Sequence, residues 1–141
     1  MPIIRDLMST NCYDCDIKET LVIVGSCLKR MQPKAFNELT EMSNAIFSVC
    51  LESTHVNMLI TKIIAIICRT KIIKIVFATV DESPHCVQLH YIENEIRKAM
   101  NIDNINIIHY VAVDNRLIKI SNSTIKNSKS LSMLEAMDKY N

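Results

Sequence analysis

The chain has 141 residues, a formal net charge of +1 and 49% hydrophobic residues, a composition typical of one globular domain. The balanced charge and the 5% aromatic content, with no tryptophan, argue against a nucleic-acid partner. Gly25 is the one glycine, which excludes the glycine-rich loops of Walker, dinucleotide-binding and nucleophile-elbow motifs. We therefore expect no nucleotide cofactor.

The sequence predicts neither a secretory signal nor a membrane span. Residues 1–16 contain four charged side chains where a signal peptide has an apolar region. The most apolar stretch, residues 58–80, is interrupted by four basic residues. We expect a cytoplasmic protein without membrane contact. Its six cysteines are then thiols or metal ligands and not disulfides.

The hydrophobic pattern divides the chain into a short arm and one domain. Residues 1–19 are predicted to form a polar arm, and residues 20–141 a single α/β domain in which strand-like apolar runs alternate with helical periodicity. Residues 46–51 fit either the end of a helix or a short strand, and residues 121–130 are expected to be a loop. The expected strands are 20–24, 72–80, 105–113 and 117–120, and the expected helices begin near residues 33, 55, 84 and 131.

These elements predict a three-layer α/β fold with a mostly parallel central sheet of about four strands, helices on both faces and a late antiparallel edge hairpin that turns at Asp114-Asn115. Right-handed crossovers bring the ends of strands 20–24 and 72–80 to one edge of the sheet, where α/β proteins bind ligands. Helix 55–69 is apolar on most sides, so we expect it to form the interface of a homodimer.

A short phrase, Glu-Ser-x-His, occurs at residues 52–55 and again at 82–85, each time between an apolar run and a helix. The first copy is interpreted mainly as a helix cap. The second is the stronger candidate site, because Cys86 and His90 are four residues apart and share a helix face, a spacing that suits two ligands of one metal ion. His85 would add a donor from the loop. The alternative is that Cys86 is a small buried hydrophobe and that the phrase is capping sequence.

Two further features add to this candidate site. Cys12-x-x-Cys15 is half of a zinc or iron–sulfur motif, with the alternative that a flexible arm holds two cysteines by chance. Cys27 follows the first predicted strand and is expected to lie near the Cys86 corner, whereas Cys68 and His109 are expected to be structural. The predicted metal ligands are Cys12, Cys15, Cys27, Cys86, His85 and His90, with His55 as an alternative to the other histidines.

The placement of Cys27 and Cys86 after successive strands resembles the β-class carbonic anhydrases, which bind zinc through a cysteine after one strand and a His-x-x-Cys pair after a later one. The resemblance covers about a third of the chain. Two features depart from that family. Ser83 stands where its histidine would fall, and Cys27 is followed by Leu28-Lys29-Arg30 in place of the aspartate-bearing motif. The activity is therefore not carried over.

The pattern as a whole favours a cytoplasmic protein that binds a soft metal, zinc or an iron–sulfur cluster, and has a redox or regulatory role. One alternative is a hydrolase or lyase that uses Cys86 as nucleophile or thiolate, with His85 or His90 as base. The other is a dimeric interaction module with no catalysis, which would bind a protein partner.

Overall fold

The structure is a computed structural model that describes residues 3–13 and 16–139. No helix in this part of the chain has both the length and the apolar character needed to cross a bilayer. The elements, in chain order, are β1 Ile3–Asp6, β2 Thr20–Gly25, α1 Leu28–Met31, α2 Pro33–Thr40, β3 Ala45–Val49, α3 Val56–Arg69, β4 Lys74–Val80, α4 Val87–Ala99, β5 Asn106–Val113, β6 Arg116–Ile120, α5 Asn122–Asn127 and α6 Leu131–Asp138.

The strands form one sheet in the order β1-β3-β2-β4-β5-β6, parallel except for β6. The predicted fold class is confirmed, but the described residues contain six strands and not about four. The residues expected to form a polar arm supply the edge strand β1, which pairs with β3, and Leu7 after it is fully buried. The ambiguous segment near residue 46 is the strand β3, because it lies between two other strands and buries both Ile46 and Phe47.

Two apolar layers cover the sheet, because successive side chains of a strand point to opposite faces. On one face, Ile75 and Phe77 of β4 pack with α3 and α4. On the other face, Val76 and Ala78 pack with α1 and α2. The helices on both faces therefore enclose the central strands, which explains why their sequences are almost continuously apolar.

Helix α3 directs most of its apolar side chains into its own core. Leu59 and Ile63 are fully buried there, whereas Ile60 and Ile64 are half-buried against the same cluster. Cys68 was expected in the core and is exposed, because it lies on the side of the helix that faces away from the sheet. Most of the apolar surface of α3 is thus buried within one chain. A homodimer through this helix stays a prediction.

For the carboxyl-terminal part of the chain, one prediction is confirmed and one is wrong. Asp114 and Asn115 have left-handed φ values of 51° and 61°, as a two-residue turn between antiparallel strands requires, so the predicted hairpin is confirmed. The segment expected to be a loop contains α5. Its first turn is capped by Ser121, whose Oγ accepts the N–H of Thr124. Ile125 is the one buried side chain of α5, and a single apolar position does not produce a helical pattern in the sequence.

Candidate functional site

Three neighbouring parallel strands each lead to a cysteine at the same edge of the sheet. Cys50 follows β3, Cys27 follows β2 and Cys86 follows β4. Cys27 is the N-cap residue of α1, and Cys86 is the N-cap residue of α4. The chain runs from β2 to β3 on one side and then crosses to β4 on the other, so the strand order reverses between β2 and β4. Open α/β sheets bind ligands in the crevice at such a reversal. We call Cys27, Cys50 and Cys86 the crevice thiols.

The single glycine of the chain lies close to the buried crevice thiol. A Cβ atom on Gly25 would lie 3.0 Å from Cys86 Sγ, which is closer than ordinary contact between carbon and sulfur. The backbone of Gly25 does not have a positive φ, so glycine serves here for its size and not for its conformational freedom. The end of β2 and the start of α4 therefore pack against each other directly through this sulfur atom.

The crevice thiols differ in acidity. Burial raises the pKa of Cys86, and the adjacent Cys27 thiol raises it further, whereas the Ser83 hydroxyl has the opposite effect. The pKa of the half-buried Cys50 is lowered by hydrogen bonds from the Ser53 side chain, from the backbone N–H groups of Ser53 and Glu52, and from the side chain of Ser26. Cys50 is thus the more readily ionised thiol, while Cys86 is a protonated thiol held inside the protein.

Of the six predicted metal ligands, the structure brings Cys27 and Cys86 together, and it confirms that they are neighbours at adjacent strand ends. His85 is exposed at the start of α4, and Cys12 packs against the core on the α3 side. Cys15 lies outside the described residues. Within residues 3–13 and 16–139, no group of three or more histidine, cysteine, aspartate or glutamate side chains is arranged to hold a metal ion. A metal role for these residues stays a prediction.

His90 belongs to a different arrangement, a buried chain of hydrogen bonds between β4, α4 and β5. Its Nε2 lies 2.7 Å from Thr79 Oγ1, and its Nδ1 lies 2.9 Å from His109 Nδ1. His109 Nε2 lies 2.7 Å from Glu93 Oε1. Both ring nitrogens of His90 are therefore engaged within the protein. In this arrangement His90 is not paired with Cys86, and the metal ion that the sequence predicts for the two residues stays a prediction.

Glu93 lies at one end of this chain of hydrogen bonds. Its second carboxylate oxygen accepts hydrogen bonds from Arg97 Nε at 2.9 Å and from Asn122 Nδ2 at 3.2 Å. Burial raises the pKa of Glu93, but the hydrogen bonds from His109, Arg97 and Asn122 outweigh burial and lower the pKa to about 2. The carboxylate is therefore ionised in the folded protein at neutral pH.

Burial acts on His90 in the opposite sense. It lowers the pKa of His90 to about 3, and the charge of a protonated His109 acts in the same direction. His90 is therefore neutral at physiological pH. The sequence did not predict that Thr79, Glu93 and His109 belong to one hydrogen-bonded group with His90. The one local signal was that Glu93 follows His90 by three residues on a predicted helix, which places both on one face.

Comparison with known proteins adds a family to this geometry. A family model described as a Rossmann-like domain matches residues 17–140. The chain belongs to the Rossmann-like domain family. No curated protein and no solved structure matches it. In this Rossmann-like domain the crevice between β2 and β4 is bordered by Cys27 and Cys86, and the chain has no glycine-rich sequence from which a phosphate loop would be built.

Proposed function

We propose that the protein is a thiol-based redox protein whose reactive centre is formed by the crevice thiols. The observation that carries this proposal is the pairing of a buried thiol, Cys86, with the more exposed thiol of Cys27 at the β2–β4 crevice. A pair of thiols in contact forms a disulfide with little movement of the backbone. Transient disulfides of this kind occur in reducing compartments such as the cytoplasm, which is the compartment expected from the sequence.

The different acidities of the crevice thiols support distinct roles in thiol–disulfide exchange. Cys50, with its lowered pKa, is the thiol that reacts first. Its thiolate attacks one sulfur of a small-molecule disulfide, forms a mixed disulfide and expels the other half as a thiolate. Cys27 lies next to Ser26, whose side chain contacts Cys50, and it attacks the mixed disulfide and expels the second thiolate.

Cys86 completes the exchange. After losing its proton to solvent, it attacks the Cys27 sulfur, forms the Cys27–Cys86 disulfide and releases Cys50 as a thiolate. In total, the two thiols of Cys27 and Cys86 lose two electrons and two protons, and the small-molecule disulfide gains them to become two thiols. The raised pKa of Cys86 keeps it protonated until the last step.

Peptide mapping after oxidation tests this proposal. The reduced protein is incubated with glutathione disulfide, its remaining thiols are alkylated, and its disulfides are identified by mass spectrometry. We expect a Cys27–Cys86 disulfide. The Cys50→Ser variant is expected to form the same disulfide more slowly, and Cys86→Ser is expected to stop at a disulfide that involves Cys50. Cys68→Ser, which removes the exposed cysteine of α3, is the matched control and is expected to behave as the unchanged protein.

Two results would overturn the proposal. One is uniform alkylation of the crevice thiols after oxidation, with no disulfide between Cys27 and Cys86. The other is purified protein that carries stoichiometric zinc or iron, lost on substitution of these cysteines, which would favour the metal-binding function predicted from the sequence. Metal analysis of protein purified without added chelator is therefore performed before the oxidation experiment.

A further inference from the structure

The sheet ends at β6, and the outer edge of this strand is open. The N–H of Asn106, the first residue of β5, donates to the C=O that precedes β4. The N–H and C=O groups of successive strand residues point to opposite sides, so those of Val111 point to β6 and bond its partner Ile118. In β6 itself, the backbone groups of Leu117 and Lys119 therefore point away from the sheet.

These outward groups have no partner in the described part of the chain. No hydrogen bond from residues 3–13 or 16–139 reaches the N–H or C=O of Leu117 or Lys119. Lys119 is exposed and Leu117 is half-buried, so solvent reaches this edge. Two N–H and two C=O groups in a row on an edge strand form a template for pairing with another extended chain.

The opposite edge of the sheet, at β1, is partly closed. The N–H of Leu7 donates to Ser48 on the β3 side, so the C=O of Asp6 points outward. Thr10 Oγ1 donates a hydrogen bond to this C=O at 2.7 Å and occupies the outward acceptor. The chain thus supplies its own partner at β1 and supplies none at the β6 edge, which makes β6 the better site for a further strand.

The exposed charges of β6 are both positive. Arg116 and Lys119 are exposed and form no ion pair with any described residue. Between them lies Ile118, whose side chain is 45% exposed. If a second copy of β6 paired with this edge in full antiparallel overlap, the two Lys119 side chains would lie at diagonal positions on one face and repel each other. The charge of the edge instead complements a strand with acidic side chains.

We propose that the β6 edge binds an extended, acidic segment of a partner protein as an additional antiparallel strand. The backbone groups of Leu117 and Lys119 exchange hydrogen bonds with the segment and supply the main attraction. Acidic side chains opposite Lys119 and Arg116 form cross-strand ion pairs, and an apolar side chain opposite Ile118 covers it. From the position opposite Lys119, a segment that reads Glu-Val-Thr-Glu satisfies this pattern.

Two short peptides of opposite charge test this recognition. Blocked Thr-Glu-Val-Thr-Glu and blocked Thr-Lys-Val-Thr-Lys are titrated into the reduced full-length protein at pH 7 and low salt, and binding is followed by amide NMR shifts and hydrogen exchange. We expect the acidic peptide to bind about tenfold or more tightly than the basic one. Amide exchange is expected to slow at Leu117 and Lys119, which gain partners, and to change little at Ile118, which already bonds β5.

Charge reversal on the protein separates recognition from folding. The double variant Arg116→Glu, Lys119→Glu changes only exposed side chains. It is expected to bind the acidic peptide about tenfold more weakly and the basic peptide about tenfold more tightly than the unchanged protein does. The double variant Lys18→Glu, Lys71→Glu, on exposed residues that precede β2 and β4, changes the net charge equally and is the matched control. It is expected to keep the preference for the acidic peptide.

Three results would overturn the proposal. One is equal affinity of the unchanged protein for the two peptides. Another is the same loss of acidic-peptide binding in both double variants, which would assign the effect to net charge and not to β6. The third is exchange at Leu117 and Lys119 that slows with protein concentration in the absence of peptide, which would make a second copy of the chain the occupant of this edge.

Discussion

His90 and His109 face each other through their Nδ1 atoms, which lie 2.9 Å apart inside the protein. A hydrogen bond between these two atoms needs a proton on one and a lone pair on the other. Glu93 holds the other side of the His109 ring, because its carboxylate accepts the proton on His109 Nε2. A second proton on His90 would place a charge in its buried site, so the buried chain of hydrogen bonds is sensitive to acid.

The first prediction concerns stability against pH. The unfolded chain binds a proton at His90 below the ordinary pKa of 6.5, whereas the folded protein binds it only near pH 3. The stabilisation is therefore complete above pH 6.5. It is lost as the pH falls toward 3, by up to about 1.4 kcal/mol per pH unit for this one proton. Urea unfolding at several pH values between 8 and 4 measures the free energy of unfolding.

Two variants assign that pH dependence. His90→Gln is expected to reduce the slope between pH 6.5 and 4.5, whereas His85→Gln, which changes an exposed histidine, is expected to leave it unchanged. Below pH 4.5 the loss steepens, because Glu93 has a folded pKa of about 2, below its ordinary value of 4.5, and its stabilisation disappears as the pH falls. An identical slope in His90→Gln and the unchanged protein would contradict this assignment.

The second prediction concerns the buried carboxylate. Glu93→Gln removes the charge that Arg97 and His109 share and turns an amide N–H₂ toward donors, so we expect a loss of about 1–3 kcal/mol in the free energy of unfolding. Glu95→Gln is the control on the same helix, because its partly exposed ion pair with Lys98, at 3.0 Å, is expected to contribute less than about 1 kcal/mol. Equal effects of the two substitutions would show that the buried chain contributes little.

The third prediction concerns the contact between Gly25 and Cys86. Gly25→Ala places a methyl group 3.0 Å from Cys86 Sγ and is expected to destabilise the protein by about 1–3 kcal/mol. Cys86→Ala removes the sulfur atom and is expected to relieve part of this cost. A double-mutant cycle by denaturant unfolding measures the coupling. Strictly additive effects would mean that the methyl group finds room without meeting the sulfur.

The fourth prediction concerns thiol reactivity. At neutral pH, iodoacetamide is expected to label Cys50 faster than Cys86, since the pKa of Cys50 is lowered and Cys86 is both buried and of raised pKa. Ser53→Ala removes the largest contribution to the Cys50 shift and is expected to slow its labelling, with the labelling of exposed Cys68 as the internal reference. Mass spectrometry at timed intervals gives each rate, and an unchanged Cys50 rate in Ser53→Ala would count against this explanation.

The fifth prediction concerns the homodimer expected through helix α3. Ile63 is fully buried in the chain's own core, so Ile63→Glu is expected to unfold the protein. Met58 is 55% exposed on the same helix, so Met58→Glu is expected to preserve the fold and to weaken a dimer that uses this surface. Circular dichroism reports the fold, and sedimentation velocity reports the mass. A Met58→Glu protein with unchanged mass would leave this face of α3 without a role in assembly.

Much of the thiol site was predictable, because it depends on local signals and on one topological rule. Cys27 and Cys86 each follow an apolar run that is long enough to be a strand, and right-handed crossovers bring the ends of parallel strands to one edge. Cys50 was not among the predicted ligands, and the segment before it fits a helix as well as a strand. Its altered acidity depends on hydrogen bonds with Ser53 and Ser26, which form only after folding.

The sequence by itself determined the strands β2, β4, β5 and β6, the longer helices, the three layers and the absence of glycine-rich loops, because periodicity and composition are properties of the local chain. Only the tertiary structure decided which polar side chains meet in the interior. The β4–β5 register places His109 beside Phe77, and the packing of α4 on this face brings Glu93 and His90 onto His109. Register and helix packing depend on contacts between residues distant in the chain, so no local pattern contains them.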